Sequence, residues 1–288
     1  VQDWREMRAK TLEIIADLKK APPKHLDKPV VKEACEFLQW VHDDHYTFMG
    51  YREVDYAGSG KTARLEVKPE SGLGILRDTE RSVFDALRDL GKMPKAVQEE
   101  LYRPDLIRIT KGNHRSTVHR RVHLDTIAIR KFDAKGKPIG EYLFVGLLTS
   151  VAYNQSPREI PLLRSKVAEV FKLSGFEPSS HSGKAMMHIL ESYPRDELFQ
   201  IDVERLAEIT LGINYLQERQ RISLFLRRDP FQRYMSALVY VPRDRFSSGL
   251  RERLGDILSK NLNGSVAAHY TFMTDEVLTR VHFIIRTT

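Results

Sequence analysis

Four patterns in this chain carry residue types and spacings that could do chemistry. Gly58-Ser59-Gly60-Lys61-Thr62 ends like a phosphate-cradling loop, where glycine amides and a lysine surround a polyphosphate. That motif needs a further glycine five positions before Gly60, and Asp55 stands there. A strand-like run over 64–68 follows where a helix is required, so the segment reads as a hairpin turn. His42-Asp43-Asp44-His45 gathers four metal-ligand types, with both histidines on neighbouring helical positions. The same residues suit a solvated helix end, where histidines meet the negative end of the dipole.

The densest basic stretch runs from His114 through Arg115, His119, Arg120 and Arg121 to His123. As a strand it would set Arg115, Arg121 and His123 on one face and His114 and Arg120 on the other. That divides the charge, and no aromatic stacking platform is interleaved with it, so nucleic acid is not an expected partner. A phosphate or other anion contact stays open. The fourth pattern recurs at three helix starts: Ser156-Pro157-Arg158-Glu159, Tyr193-Pro194-Arg195-Asp196 and Val241-Pro242-Arg243-Asp244. Proline in the first turn and acids beside it are ordinary helix-start chemistry. At the third start, Arg243, Arg245 and Ser247 surround backbone N–H groups able to receive a carboxylate, giving a candidate effector or anion site.

What is missing narrows the chemistry further. No Gly-x-Gly-x-x-Gly follows a strand, no serine or cysteine nucleophile sits in a recognisable motif, and no acid pair has catalytic spacing. No catalytic, cofactor-binding or metal-binding residue is therefore assigned.

These residues need elements to hold them, and 288 residues are enough for two domains. A hydrophobic content of 41% beside 30% charge is that of a folded chain. The net charge of +7 is spread by alternating acids and bases, without forming a patch. The lone Cys35 excludes an internal disulfide and falls on an apolar helical face, as a buried small hydrophobe would. No apolar run approaches the ~20 residues that cross a bilayer, and the first residues do not form a secretory signal. The chain opens on Val1 without an initiator Met, so a cytoplasmic piece of a longer protein is expected.

Apolar spacing predicts helices near 3–20 and 29–41, then strands over 46–56 and 63–68. Helices over 82–90 and 94–101 precede strands over 106–110, 122–132 and 141–150, with Asp133–Pro138 as a turn. This order over 1–155 resembles the antiparallel α+β PAS or GAF sensory folds. A helical connector follows over 156–220. Over 221–288 the alternation Ile222, Leu224, Leu226, then Met235 to Val241, a helix face from Phe246 to Leu258 and two more strands give ββαββ. That is the order of a ferredoxin-like sheet, cyclically rearranged and missing a final helix, an architecture to which ACT domains belong.

Longer runs carry a resemblance. Tyr193-Pro194-Arg195-Asp196-Glu197-Leu198-Phe199-Gln200 with Gly212-Ile213 resembles a segment of the large bacterial NAD-dependent glutamate dehydrogenases. So do Phe225–Phe231, Tyr240–Phe246, Phe37–Trp40 and Phe48–Arg52. The resemblance implies a regulatory and oligomerisation region, PAS-like then ACT-like, whose parent converts L-glutamate, NAD and water to 2-oxoglutarate, ammonium and NADH. NAD is then the parent's cofactor and none belongs to this segment. The implied partners are the catalytic domain of the same chain, further copies in a homo-oligomer and an amino-acid effector, with neither nucleic acid nor membrane. Effector sites of ACT domains lie near strand-to-helix loops, which directs attention to Arg243, Arg245 and Ser247. A stand-alone small-ligand sensor is the alternative reading, and a nucleic-acid-binding regulator a weaker one.

Overall fold

The computed structural model describes residues 2–58, 62–68, 70–78, 90–216, 221–274 and 276–287. The Ser-Gly-Lys run at 59–61 and the helix expected over 82–90, up to residue 89, lie outside the described residues. In chain order the elements begin α1 (Trp4–Lys20), α2 (Lys28–Trp40), β1 (Tyr46–Ala57), β2 (Arg64–Val67), β3 (Leu73–Gly74) and α3 (Lys95–Leu101). There follow β4 (Ile107–Arg115), β5 (His123–Phe132), β6 (Pro138–Leu148), α4 (Ser150–Asn154), α5 (Leu163–Ser174), α6 (His181–Ser192), α7 (Arg195–Gln200) and α8 (Val203–Leu216). The chain closes with β7 (Ser223–Arg228), β8 (Tyr234–Pro242), α9 (Ser248–Asn261), β9 (Gly264–Phe272) and β10 (Leu278–Thr287). Two compact units result, one of residues 1–168 with 194–200 and one of 169–193 with 201–288.

The first unit is built on an antiparallel sheet in the order β2-β1-β6-β5-β4, with the short β3 also on β1. Helix α1 buries Met7, Thr11, Ile14, Ile15 and Leu18, the stripe its spacing predicts, and packs on β1. Trp4, at the start of the helix, is 44% exposed. In α2 a proline occupies the first turn, and Val31, Ala34, Cys35, Phe37, Leu38 and Trp40 are buried. Strands β5 and β6 run buried on both faces, which explains their near-continuous apolar sequence. The Asp133–Pro138 turn forms as its chemistry predicts: Asp133 Oδ1 accepts from the amides of Lys135 and Lys137, and Gly136 takes φ +80°.

The second unit has an antiparallel sheet in the order β7-β8-β10-β9. Its ββαββ chain order is the one the alternation of Leu224, Leu226, Ala237, Val239 and Val241 predicts. One face carries Ala237, Val239, Val241, Val281, Phe283 and Ile285, closed by Leu250, Leu254 and Leu258 of α9. Because side chains alternate along a strand, Ser236, Leu238, Tyr240, Arg280 and His282 turn to the other face. Those five are buried too, so this sheet has two covered faces. The cover comes from α6 and α8: Arg280 donates to the Ser192 carbonyl at 2.6 Å, and Arg205 to that of Leu226 at 2.6 Å. At Gly212 of α8 a Cβ would meet the Phe225 ring at 2.6 Å, so a larger residue there requires the ring to shift.

Candidate functional site

The turn between β8 and α9 holds the three residues picked out from the sequence. Arg243–Arg245 form one exposed 3-10 turn, and Ser247 starts α9 in extended conformation (φ −148°, ψ 160°). The Ser247 Oγ accepts from the Leu250 N–H at 3.1 Å, so its hydroxyl serves as the helix N-cap. The Arg243 amide donates to Val277 O at 2.9 Å, which ties the turn to the entry of β10.

A second arrangement, not legible in the sequence, lies on the face opposite α9. Tyr240 and Arg280 are register partners, and both line a cavity of about 330 Å³ closed by α6, α8 and the segment before β10. Its walls are apolar at Ile189, Ile213 and Leu278 and polar at Tyr240, Arg280 and Glu276. The Arg280 guanidinium lies over the Phe272 ring at 4.6 Å and donates to Ser192 O. Burial pushes the Tyr240 hydroxyl pKa upward, although the neighbouring guanidinium opposes it. At the mouth, His188 Nε2 meets Glu276 Oε1 at 2.5 Å, with both side chains about half exposed (58% and 45%). Sequence reading missed this group because strand pairing assembles it from separate elements. The local signal is the placing of Ser236 and Tyr240 in β8, and of Arg280 and His282 in β10, among apolar residues.

Charges buried in the first unit serve the fold. Arg108 and Glu141 pair at 2.9 Å with side chains 6% and 3% exposed, and Tyr56 OH donates to the same carboxylate at 2.8 Å. Lys111 lies 2.6 Å from Asp125 and 3.1 Å from Asp196, which also accepts from Tyr153 OH at 2.6 Å. Against the desolvation that burial imposes, the two carboxylates hold the Lys111 pKa well above the ordinary value. An ammonium so held is neither a base nor a nucleophile at neutral pH.

The remaining motifs are absorbed locally. Val41–His45 form a widened turn within which Asp44 takes φ +63°. There His42 Nδ1 shares contacts with Thr11 Oγ1 and Arg8 O, and His45 stacks on Trp40 at 4.4 Å. The basic stretch is not the continuous strand considered above. β4 stops at Arg115, and 116–122 loop back so that Arg115 pairs with His123. Ser116 Oγ donates to Val118 O, and His119 adopts φ +61°, both incompatible with extended strand. Arg120 donates to Leu148 O and lies over the Tyr153 ring.

Known families match the second half of the chain. The model described as glutamate dehydrogenase, helical motif 1, matches residues 160–219, which contain α5 to α8. The glutamate dehydrogenase ACT2 domain model matches 223–288, beginning at the first residue of β7. The NAD-specific glutamate dehydrogenase of Halomonas elongata is 40% identical over 289 residues, 99% of this chain and 18% of that protein. That of Pseudomonas aeruginosa is 39% identical over 286 residues, 99% of this chain and 17% of its own length. The Mycobacterium tuberculosis protein of the same name is 26% identical over 258 residues, 90% of the chain. The chain thus spans under a fifth of the curated relatives it matches.

Proposed function

This chain is homologous over 99% of its length to a segment of the NAD-specific glutamate dehydrogenases, and from that premise we propose that it is a non-catalytic regulatory and assembly segment of such an enzyme. The observation that carries this reading is the match of 223–288 to an ACT2 domain, where the fold is a ββαββ sheet. The parent enzyme then oxidises L-glutamate with NAD in another part of its chain. Both sheets among the described residues are antiparallel, and a dinucleotide crevice is built from parallel βαβ units. The described residues therefore do not fit NAD.

In this reading 1–155 is a PAS- or GAF-like module, 156–220 a helical connector and 221–288 the ACT-like module, all in the cytoplasm. Arg243 and Arg245, with Ser247 capping the helix beside them, form an exposed turn suited to an anionic group of an amino-acid effector. Self-association uses the open edge of β9, where Val266, Tyr270 and Phe272 are exposed (39%, 57% and 42%). An edge strand with exposed apolar side chains pairs readily with a second copy. Deleting residues 223–288 from the parent enzyme is expected to leave glutamate- and NAD-dependent turnover measurable while changing its assembly or effector response. Loss of the chemistry in a folded, still-assembled deletion enzyme would overturn the reading.

A further inference from the structure

We propose that the cavity beside Tyr240 and Arg280 is a binding site for a small monocarboxylate, distinct from the Arg243 turn. The first observation is charge. Arg280 is only 9% exposed, and among the described residues no carboxylate lies within ion-pair distance of it. Its direct contacts are the Ser192 carbonyl, the Phe272 ring and the Tyr240 hydroxyl, all neutral at physiological pH, while the cavity's own carboxylate, Glu276, meets His188 instead. A buried cation is costly without a counter-charge, and a guanidinium matches a carboxylate geometrically.

Shape supplies the second observation. A space of about 330 Å³ admits a ligand of a few heavy atoms and is too small for a nucleotide. Ile189, Ile213 and Leu278 offer a short apolar body a dry wall. Glu276 at the mouth decides among acids. Its carboxylate accepts from His188, and it repels a second negative charge placed on the same ligand. The cavity therefore selects one carboxylate on a small body, and it discriminates against dicarboxylates such as glutamate and 2-oxoglutarate.

The test follows the Arg280 Nε–H resonance by NMR in the whole 288-residue chain during titration. The monocarboxylate probes are propionate, pyruvate and L-alanine, and the dicarboxylate probes are succinate, L-glutamate and 2-oxoglutarate. The monocarboxylates are expected to shift the resonance saturably and the dicarboxylates not. The stronger of pyruvate and L-alanine identifies an oxo acid or an amino acid as the ligand type. Arg280→Met is expected to weaken binding by about tenfold to a hundredfold. Because Arg280 also holds Ser192, the half-exposed Glu276→Gln provides the variant that keeps the fold, and it should admit the dicarboxylates. A silent Arg280 resonance with every probe, or dicarboxylates binding wild type as readily as monocarboxylates, would overturn the proposal. This readout is binding alone, so its failure leaves the regulatory reading of the segment standing.

Discussion

Tyr240 and Arg280 stand directly opposite each other across β8 and β10, on the sheet face turned away from α9. The pair gives the ββαββ sheet two different sides. One is an aliphatic core closed by α9, and the other is a polar, aromatic face covered by α6 and α8. A sheet with one functional face need not sacrifice its core to carry a ligand. That division is the physical basis for assigning binding to one side and stability to the other.

The buried pair Arg108–Glu141 should be unforgiving to single changes. Glu141→Gln leaves the Arg108 guanidinium charged and desolvated, at an expected cost of about 3–5 kcal/mol. Replacing both partners, Arg108→Met with Glu141→Leu, should recover most of that loss. Denaturant unfolding of the first unit measures both; a single-variant cost below about 1 kcal/mol would contradict the pairing.

Two glycines separate backbone strain from steric conflict. Gly74 has φ +60°, and a Cβ there would lie 2.1 Å from the Met49 carbonyl oxygen. Gly175 has φ +68° with nothing within 4 Å. Gly175→Ala is expected to cost about 1–2 kcal/mol for left-handed backbone alone. Gly74→Ala should cost clearly more, and equal losses in thermal unfolding would show that Met49 yields freely.

Alkaline stability has a defined sign. Burial, reinforced by neighbouring carboxylates, raises the pKa of Tyr46, Tyr51, Tyr56 and Tyr153 in the first unit. The folded state keeps these protons after the unfolded chain has released them, so their stabilisation is complete below about pH 10. It is lost as pH rises beyond that value toward the raised folded pKa values. Denaturant midpoints should be level from about pH 8 to about pH 9.5 and fall steadily above about pH 10; a midpoint unchanged to about pH 11 would contradict the tyrosine burial.

Ser247 caps α9 through the Leu250 amide, and Ser247→Ala should destabilise the second unit by about 1 kcal/mol. Ser247→Asp retains the acceptor and should restore it. If neither change moves the unfolding transition, the hydroxyl is not acting as the cap.

Much of the architecture is written locally. The stripe Met7, Thr11, Ile14, Ile15 and Leu18, the burial of Cys35, the Asp133 turn and the alternation along β7, β8 and β10 all follow from period and turn chemistry. Other features depend on partners distant in sequence. Arg52, Arg108 and Arg130 are buried because carbonyls or carboxylates from other elements receive them, and no sequence period announces that. The break at Ser116 turned a basic strand into a loop through one hydroxyl and one left-handed residue. The Arg280 cavity was illegible for the same reason: its walls come from α6, α8, β8 and the approach to β10. By contrast Arg243, Arg245 and Ser247 were visible because a turn and a helix cap are local events.

The most direct test of a regulatory, non-catalytic segment is NADH formation by the purified 288-residue chain supplied with L-glutamate and NAD. The expected result is a rate indistinguishable from the protein-free blank at every chain concentration. A rate that rises in proportion to the chain and is abolished when the chain is unfolded would contradict the central claim.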